Sequence, residues 1–556
     1  MRLKLFITGL VQGVGFRPFV YRTANRLKLK GYVLNSESGV VVEVEGEKDR
    51  LEEFLRLLQT ELPPAARIFS IDKKFLEDVG YEKFEIRKSK REGEVRVSVL
   101  PDLSTCKECL EELFDPKNRR YRYPFINCTN CGPRFTIILS LPYDRENTTM
   151  KSFKMCPECY GEYTDPTNRR FHAQPNACPV CGPQVELLGE DGRKAAEGEE
   201  ALREVVKLLS EGKILAVKGL GGFHIICDAT NDEAVRELRR RKHREEKPFA
   251  VMFRDLKQLK SYAKVSKLEE IALTGVESPI VILERKKGTN LSPSISPDTS
   301  TVGAFLPYTP LHHIILHDFG KPIVATSCNV TDEPIMFKND EVKEVIGSLV
   351  DGALVHNREI ARRCDDSVVR VMAGRVVPIR RSRGYSPLPV ILPFKLKRPV
   401  LALGPHMKVS VALGKENRVY ISQHIGDIDN LKAEEFLKET VRDLTELFEI
   451  EPEVVVTDYH PGYFTTKFGR EAFPNRVLQV YHHHAHAISV MAENEISPDE
   501  RVIAFSFDGT GYGSDAKIWG GEVLTATYTE FEREFHLSYF PLPGGEKAVK
   551  EPFRTA

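Results

Sequence analysis

The chain has 556 residues, 41% of them hydrophobic and 29% charged, with 80 basic and 80 acidic side chains and a formal net charge of zero. That length exceeds what one core supports, so three to five globular domains are expected. The balanced charge argues against polyanion binding as the overall role, leaving only local basic patches open, so no nucleic acid partner is expected. Met1-Arg2-Leu3-Lys4 runs straight into a strand-like segment, and no apolar stretch is long enough to span a bilayer; neither a signal peptide nor a membrane partner is expected.

Residues 1–91 read as a first domain. Leu3–Thr8, Tyr32–Ser36, Val40–Glu45 and Phe84–Lys88 have strand patterns, with a turn at Ser38-Gly39, and Arg17–Leu29 and Glu47–Gln59 have helical ones. The order β-α-β-β-α-β predicts a ferredoxin-like sandwich. Between the first strand and helix, Gly9, Gly13 and Gly15 let backbone N–H groups converge on an anion, and Arg17 adds a two-pronged donor for phosphate. A glycine-rich turn alone is more often just a turn. However, VQGVGFR followed by GYVLNSESGVVVEVEG resembles the acylphosphatase family over about 90 residues. The resemblance implies that Arg17 holds a phosphate and Asn35 orients the attacking water; the alternative is a relic domain kept for packing.

Residues 100–185 hold a tandem repeat. Cys106, Cys109, Cys128 and Cys131 form one C-x2-C-x18-C-x2-C unit, and Cys156, Cys159, Cys178 and Cys181 form a second, 50 residues on. DPKNRR (Asp115–Arg120) answers DPTNRR (Asp165–Arg170). The spacing suits two structural Zn(Cys)4 sites, with disulfides or scattered core cysteines as the bland alternative. Zinc knuckles together with the remaining Cys227, Cys328 and Cys364 point to a reducing, cytoplasmic setting.

Gly189–Glu199 is polar and reads as a linker into a third domain, residues 198–388, of alternating helices and strands. Its cationic and polar clusters include Lys218, Arg241, Lys242, Lys247, Ser327 with Asn329, Arg363 with Asp365, and Arg380, Arg381 and Arg383. Such groups at strand ends suit a triphosphate, although a charge run is commonly a solvated helix face. KGLGGFH, RRKHREEKPFAVM, GAFLPYTPLHH, ATSCNVTDEP and RRSRGYSPLP are similar to the YrdC family. That resemblance implies an α/β domain that binds ATP with Mg and forms a carbamoyl-type adenylate with loss of pyrophosphate. It also admits RNA binding through Arg239–Arg244.

Ser386–Arg398 is proline-rich and reads as a second linker, and residues 398–556 form the last domain. His482 and His486, at i and i+4, share one face of a helix starting near Tyr481. Asp508, expected at the end of a strand and before the turn that holds Gly509 and Gly511, is a third candidate ligand for a divalent metal, Fe or Zn. The alternative is a surface histidine cluster. These motifs resemble the TsaD-type carbamoyltransferase domain of the ASKHA α/β fold. That resemblance places a second nucleotide loop at Lys408, Gly509 and Gly511. After Lys408 the chain reads Val409-Ser410, where the family has Asn-Thr.

The four domains in this order are similar to the HypF family of hydrogenase-maturation carbamoyltransferases, and the fold class expected is a multidomain α/β and α+β protein. The resemblance implies hydrolysis of carbamoyl phosphate, formation of carbamoyl-adenylate from ATP, and transfer of the carbamoyl group to the C-terminal cysteine of HypE, as precursor of cyanide ligands. Because carbamate decomposes in water, an internal passage between sites is expected. The family pattern continues past Lys550–Ala556, so the transferase domain is expected to be incomplete here. The rival readings are a tRNA threonylcarbamoyl-adenosine synthase, disfavoured by the first domain and the zinc repeat, and a zinc scaffold that binds RNA.

Overall fold

The computed structural model describes residues 1–36, 39–63, 66–87, 99–330 and 333–555. The chain forms two units, Met1–Pro389 with Ile421–Glu449, and Val390–Tyr420 with Ile450–Ala556.

The first unit opens with five strands: β1 (Arg2–Leu10), β2 (Lys30–Ser36), β3 (Gly39–Glu45), β4 (Arg67–Leu76) and β5 (Phe84–Ile86), in the order β4-β1-β3-β2-β5. Leu3, Leu5 and Ile7 alternate along β1 and lie opposite Val44, Val42 and Val40 of β3. All six are fully buried, in a core they share with Phe54 and Leu58 of helix Lys48–Thr60. The 4-1-3-2 order is the ferredoxin-like one, but the strand that completes it is not Phe84–Lys88. It is β4, which pairs antiparallel with β1 from Leu76 to Arg67, whereas β5 is a short extra strand parallel to β2. Ser70, Asp72, Lys73 and Lys74 leave β4 largely exposed, which masks its strand pattern. Ser38 and Lys88, assigned to a turn and a strand end above, lie outside the described residues.

The tandem repeat shares a core with the domain after it. Leu113, Phe125 and Ile137 pack in one cluster with Leu202, Leu311 and Ile315. The two repeats have matching backbones. Arg122 and His172, 50 residues apart, both have φ 54, and their N–H groups donate to Leu113 O and Tyr163 O. The matching positions face different neighbours. Arg122 donates to Glu199 at 2.9 Å and Asp318 at 2.6 Å of the following domain, while His172 lines a pocket with the glycine loop of the first.

That following domain is built on eleven strands: β6 (Val185–Leu188), β7 (Lys194–Glu197), β8 (Leu215–Lys218), β9 (Phe223–Asp228), β10 (Ala250–Met252), β11 (Ile280–Glu284), β12 (Thr301–Phe305), β13 (Ile323–Ser327), β14 (Gly352–His356), β15 (Val368–Met372) and β16 (Arg375–Arg380). Their order is β16-β15-β11-β12-β10-β13-β9-β8-β14-β6-β7, with parallel and antiparallel pairs mixed. β8 and β9 are buried at every residue, as expected for central strands covered on both faces. The stretch 189–199 is therefore no free linker: it turns between β6 and β7, which extend the sheet, and then starts helix Gly198–Ser210. Helix Leu431–Phe448 also belongs to this unit, with Glu439 on Arg363 at 3.1 Å.

The second unit has a sheet of β17 (Pro389–Ile391), β18 (Val400–Ala402), β19 (Ala412–Lys415), β20 (Arg418–Ile421), β21 (Val454–Asp458) and β22 (Val477–Val480), ordered β17-β20-β19-β18-β21-β22. The proline-rich stretch expected as a linker contributes β17, and Leu392 and Leu396 donate backbone bonds to Asn417 and Glu416. A separate sheet holds β23 (Val502–Tyr512), β24 (Ile518–Ala526) and β25 (Phe531–His536). Among the described residues, no helix is long and apolar enough to cross a membrane.

Candidate active sites

The glycine loop and Arg17 form the first site. Gly13 and Gly15 both have φ 72, a backbone region that glycine reaches without strain. A Cβ on Gly13 would sit 3.1 Å from the Tyr143 ring, and one on Gly15 3.0 Å from Thr129 Oγ1, so the tandem repeat lies directly against the loop. Arg134 Nε donates to Gly13 O at 2.9 Å, which fixes that peptide. Arg17, in the first turn of helix Phe16–Arg26, is 7% exposed, and burial pulls its guanidinium pKa down against the opposing pull of Asp144. Gln12 Nε2 donates to Ser36 O at 2.8 Å and Gly39 O at 3.1 Å, tying the loop to the end of the strand that carries Asn35. Asn35 is fully buried, and neither its Oδ1 nor its Nδ2 has a hydrogen-bond partner among the described residues. Buried polar groups are nearly always bonded, so this side chain is shaped for a water or ligand.

The eight cysteines gather into two clusters of four. In the first, Cys106–Cys128, Cys128–Cys131 and Cys131–Cys109 Sγ atoms are 3.6, 3.8 and 3.5 Å apart. In the second, Cys156–Cys178 and Cys178–Cys181 are 3.8 and 3.7 Å apart. A disulfide needs about 2.05 Å. A zinc tetrahedron with Zn–S near 2.3 Å needs about 3.8 Å. The donors therefore fit structural zinc and not disulfides.

In the eleven-stranded domain, Lys218 ends β8 and Ser327 ends β13, and β9 lies between them. Lys218 Nζ donates to Asn339 Oδ1 at 2.7 Å. Lys242 Nζ donates to Ser327 O and Asn329 O, both at 2.9 Å, and Ser327 Oγ donates to Asn329 Oδ1 at 2.9 Å. Burial pushes both ammonium groups down to about 8. Lys247 follows on the loop whose carbonyls hold Arg239 and Arg244. Several expected nucleotide ligands are engaged within the chain: Arg241 with Glu237 and Asp351, Arg363 with Glu439, Arg380 with Asp365 at 2.6 Å, and Arg381 with Tyr385 O and Leu388 O. Arg383 is 1% exposed, stacks 3.4 Å over Tyr308 and pairs with Asp366, whose other oxygen meets His224 Nε2 at 2.8 Å. The sequence names Arg383 as a candidate ligand but does not show this buried Arg383–Asp366–His224 chain; His224 and Arg383 stand within the quoted motifs, and Asp366 directly follows Asp365.

In the second unit, helix His482–Glu493 begins after Tyr481, and His482, His486 and Asp508 offer donor atoms within 4.8 Å of one another. His482 Nε2 is 3.0 Å from Asp508 Oδ2, and its Nδ1 is 2.7 Å from Asp458 Oδ2. Hydrogen bonds to the two carboxylates push His482 up to about 9. Asp458, at the end of β21, had no assigned role in the sequence; its signal is the Thr457–Pro461 cluster. A ligating imidazole whose second nitrogen meets a carboxylate is a common arrangement, so the donors fit a divalent metal. Asp508 is not at a strand end. It sits within β23, at the register break between Phe507 and Gly511. Gly509 and Gly511 are accordingly strand residues rather than a turn, and a Cβ on Gly511 would come 2.4 Å from His483. Lys408 occupies a turn between β18 and β19 with φ 53.

Comparison with known proteins agrees with this layout. The acylphosphatase family matches residues 3–86 and the HypF finger matches 105–138 and 155–188. The Sua5/YciO/YrdC family, described as telomere recombination, matches 207–382. The HypF Kae1-like domain matches 395–493, and the second subdomain of the Kae1-like carbamoyltransferase domain matches 504–556. The carbamoyltransferase HypF of Synechocystis sp. is 47% identical over 551 residues, covering 99% of this chain and 71% of that protein. HypF2 of Cupriavidus necator is 43% identical over 582 residues, covering 100% of this chain and 71% of its own length. A crystal structure of a full-length HypF in a phosphate- and nucleotide-bound form is 46% identical, covers all of this chain and 72% of its own, and superposes with a TM-score of 0.95.

Fold, zinc clusters and sites together define an ATP-using carbamoyl-transfer enzyme with an acylphosphatase domain at its head. At this identity over the whole chain, the relationship is specific: the chain belongs to the HypF carbamoyltransferase family.

Proposed function

We propose that the chain converts carbamoyl phosphate and ATP into a carbamoyl group delivered to a protein thiol, in three steps. The carrying observation is Arg17 buried at the Gly13–Gly15 loop, with Asn35, whose side chain has no partner among the described residues, on the strand to which Gln12 ties that loop. Arg17 and the loop N–H groups hold the phosphoryl oxygens, and Asn35 orients a water. The water oxygen bonds to phosphorus, the bridging P–O bond breaks, and carbamate leaves with the bonding pair.

Carbamate oxygen then attacks the α-phosphorus of ATP, and the α–β bridge breaks to release pyrophosphate. Lys218, Lys242 and Lys247 would offset the charge growing on the leaving group, Ser327 and Asn329 would hold Lys242 in place, and Mg brought with ATP would add positive charge. Arg241, Arg363, Asp365, Arg380, Arg381 and Arg383 complete the walls of this site, and a phosphate recruiting those arginines would share or displace their present partners. In the last step a thiolate attacks the carbamoyl carbon, the bond to the adenylate oxygen breaks, and AMP leaves. The acceptor is the C-terminal cysteine of HypE, in the cytoplasm.

His482, His486 and Asp508 would hold Fe or Zn, which supplies a fixed positive charge for a phosphate-bearing ligand. Lys408, Gly509 and Gly511 would lie along that ligand. Asp458 keeps the His482 ring oriented. The direct test of the first step is carbamoyl phosphate hydrolysis by the whole chain. Arg17→Ala should abolish it, and retained hydrolysis removes this reading.

A further inference from the structure

The first domain of this chain supplies the glycine loop and Arg17 of the phosphate site. Here the tandem repeat roofs that loop. Beside Thr129, Arg134 and Tyr143, the second repeat brings His172 and Gln174 to the pocket lining, and the segment between the two repeats brings Asp144 to Arg17. Asp144 Oδ1 lies 3.7 Å from Arg17 Nη2. Gln174 Nε2 reaches the same Oδ1 at 3.5 Å, and its Oε1 accepts from Tyr163 O–H at 2.8 Å.

The placement is built rather than incidental. Arg145, next to Asp144, donates through Nη1 to Gln174 O at 2.5 Å and Asn176 O at 3.0 Å, locking the segment to the second repeat, and through Nη2 to Phe153 O at 2.7 Å within the segment. Asn147 Nδ2 donates to Pro142 O at 2.8 Å, closing the turn around Asp144. His172 is held in the left-handed region at φ 54 and stacks on Tyr163 with ring centres 5.1 Å apart.

A carboxylate beside a phosphate-binding arginine is counterproductive for phosphate alone, because it competes for the guanidinium and repels the dianion. It becomes useful if the substrate presents N–H donors one acyl carbon away from phosphorus. Carbamoyl phosphate does so through its amino group; acetyl phosphate presents a methyl group instead. The tyrosine fixes the carboxamide of Gln174 so that its nitrogen, a donor, points to the Asp144 side.

Resting on the reading of this pocket as the carbamoyl phosphate site, we infer that Asp144, oriented by Gln174, is the specificity-determining acceptor for the carbamoyl amino group. The zinc repeat is thereby part of the first active site and not only a spacer. A site built to bond a donor rejects an analogue that lacks it, because its own polar groups are left unpaired.

The test compares carbamoyl phosphate with acetyl phosphate as substrates of the full chain. Asp144→Ala should lower the ratio of kcat/KM values, carbamoyl over acetyl, by roughly tenfold or more, the worth of one bond to a charged acceptor. The loss should fall mainly on KM for carbamoyl phosphate. Asp144→Asn keeps an acceptor oxygen and should recover part of the ratio, and Gln174→Leu should lower it less than Asp144→Ala. An equal fall for both substrates, or an unchanged ratio, overturns the inference while leaving the carbamoyl phosphate reading intact. Hydrolysis of carbamoyl phosphate that is retained in Arg17→Ala overturns both.

Discussion

Arg119 of the first zinc repeat donates to Cys159 Sγ of the second at 3.2 Å. The relationship is reciprocal, since Arg169, its counterpart 50 residues on, donates to Cys109 Sγ of the first at 3.2 Å. The next residues follow suit: Arg120 pairs with Glu162 and Arg170 with Glu112 across the repeats. Each repeat thus supplies the cationic cap of the other's thiolates, and the duplication folds as one body. A Zn(Cys)4 site carries two net negative charges, so an arginine on a ligating sulfur lowers the cost of burying it.

This crossing predicts which zinc is lost. Arg119→Ala should speed chelator extraction from the Cys156/Cys159/Cys178/Cys181 cluster by about tenfold or more, and Arg169→Ala should do the same to the other cluster. Two-phase zinc release into a chromogenic chelator reads the two sites separately. If each variant loosened the cluster of its own repeat, the crossing would carry no weight.

The buried lysines predict a pH dependence for nucleotide binding. Desolvation disfavours the ammonium form, so Lys218 and Lys242 titrate near 8 instead of near 10.5. Below that pH both are charged and attract a triphosphate; above it the charge is lost. ATP affinity, measured by calorimetry, should therefore weaken as pH rises through about 8. Lys242→Met should bind ATP more weakly at pH 7 and show a shallower pH slope.

Asp458 predicts a supporting role at the histidine pair. Asp458→Asn removes the carboxylate that orients His482 but leaves the three donors of His482, His486 and Asp508 in place. Affinity for Zn or Fe(II), measured by metal titration, should drop by about 10- to 100-fold while helix content stays the same. An unchanged affinity would show that Asp458 does not position the ring.

Much of this architecture was legible in the sequence because its signals are local. The cysteine spacing fixes the zinc ligands, and the run of Leu3, Leu5 and Ile7 fixes the inward face of β1. The i, i+4 spacing of His482 and His486 fixes their shared helix face. What was missed depends on pairing between distant segments. β4 looks like a loop until β1 supplies its partner, because its exposed face is full of Lys and Asp. The glycines after Asp508 suggest a strand end there, yet pairing with β24 carries the strand on to Tyr512. Asp144 and Gln174 have no local signature, and the Thr457–Pro461 cluster marks Asp458 without giving it a partner; only the fold brings Asp144 to Arg17 and Asp458 to His482. The engagement of Arg241 and Arg383 with carboxylates is invisible in a basic run for the same reason.

The coupling of the first two chemistries is the centre of this account, and pyrophosphate release from ATP tests it most directly. With the full chain, release should require carbamoyl phosphate and should vanish in Arg17→Ala, since carbamate made at the first site is the nucleophile at the second. Release that proceeds without carbamoyl phosphate, or that needs threonine and bicarbonate instead, would contradict it.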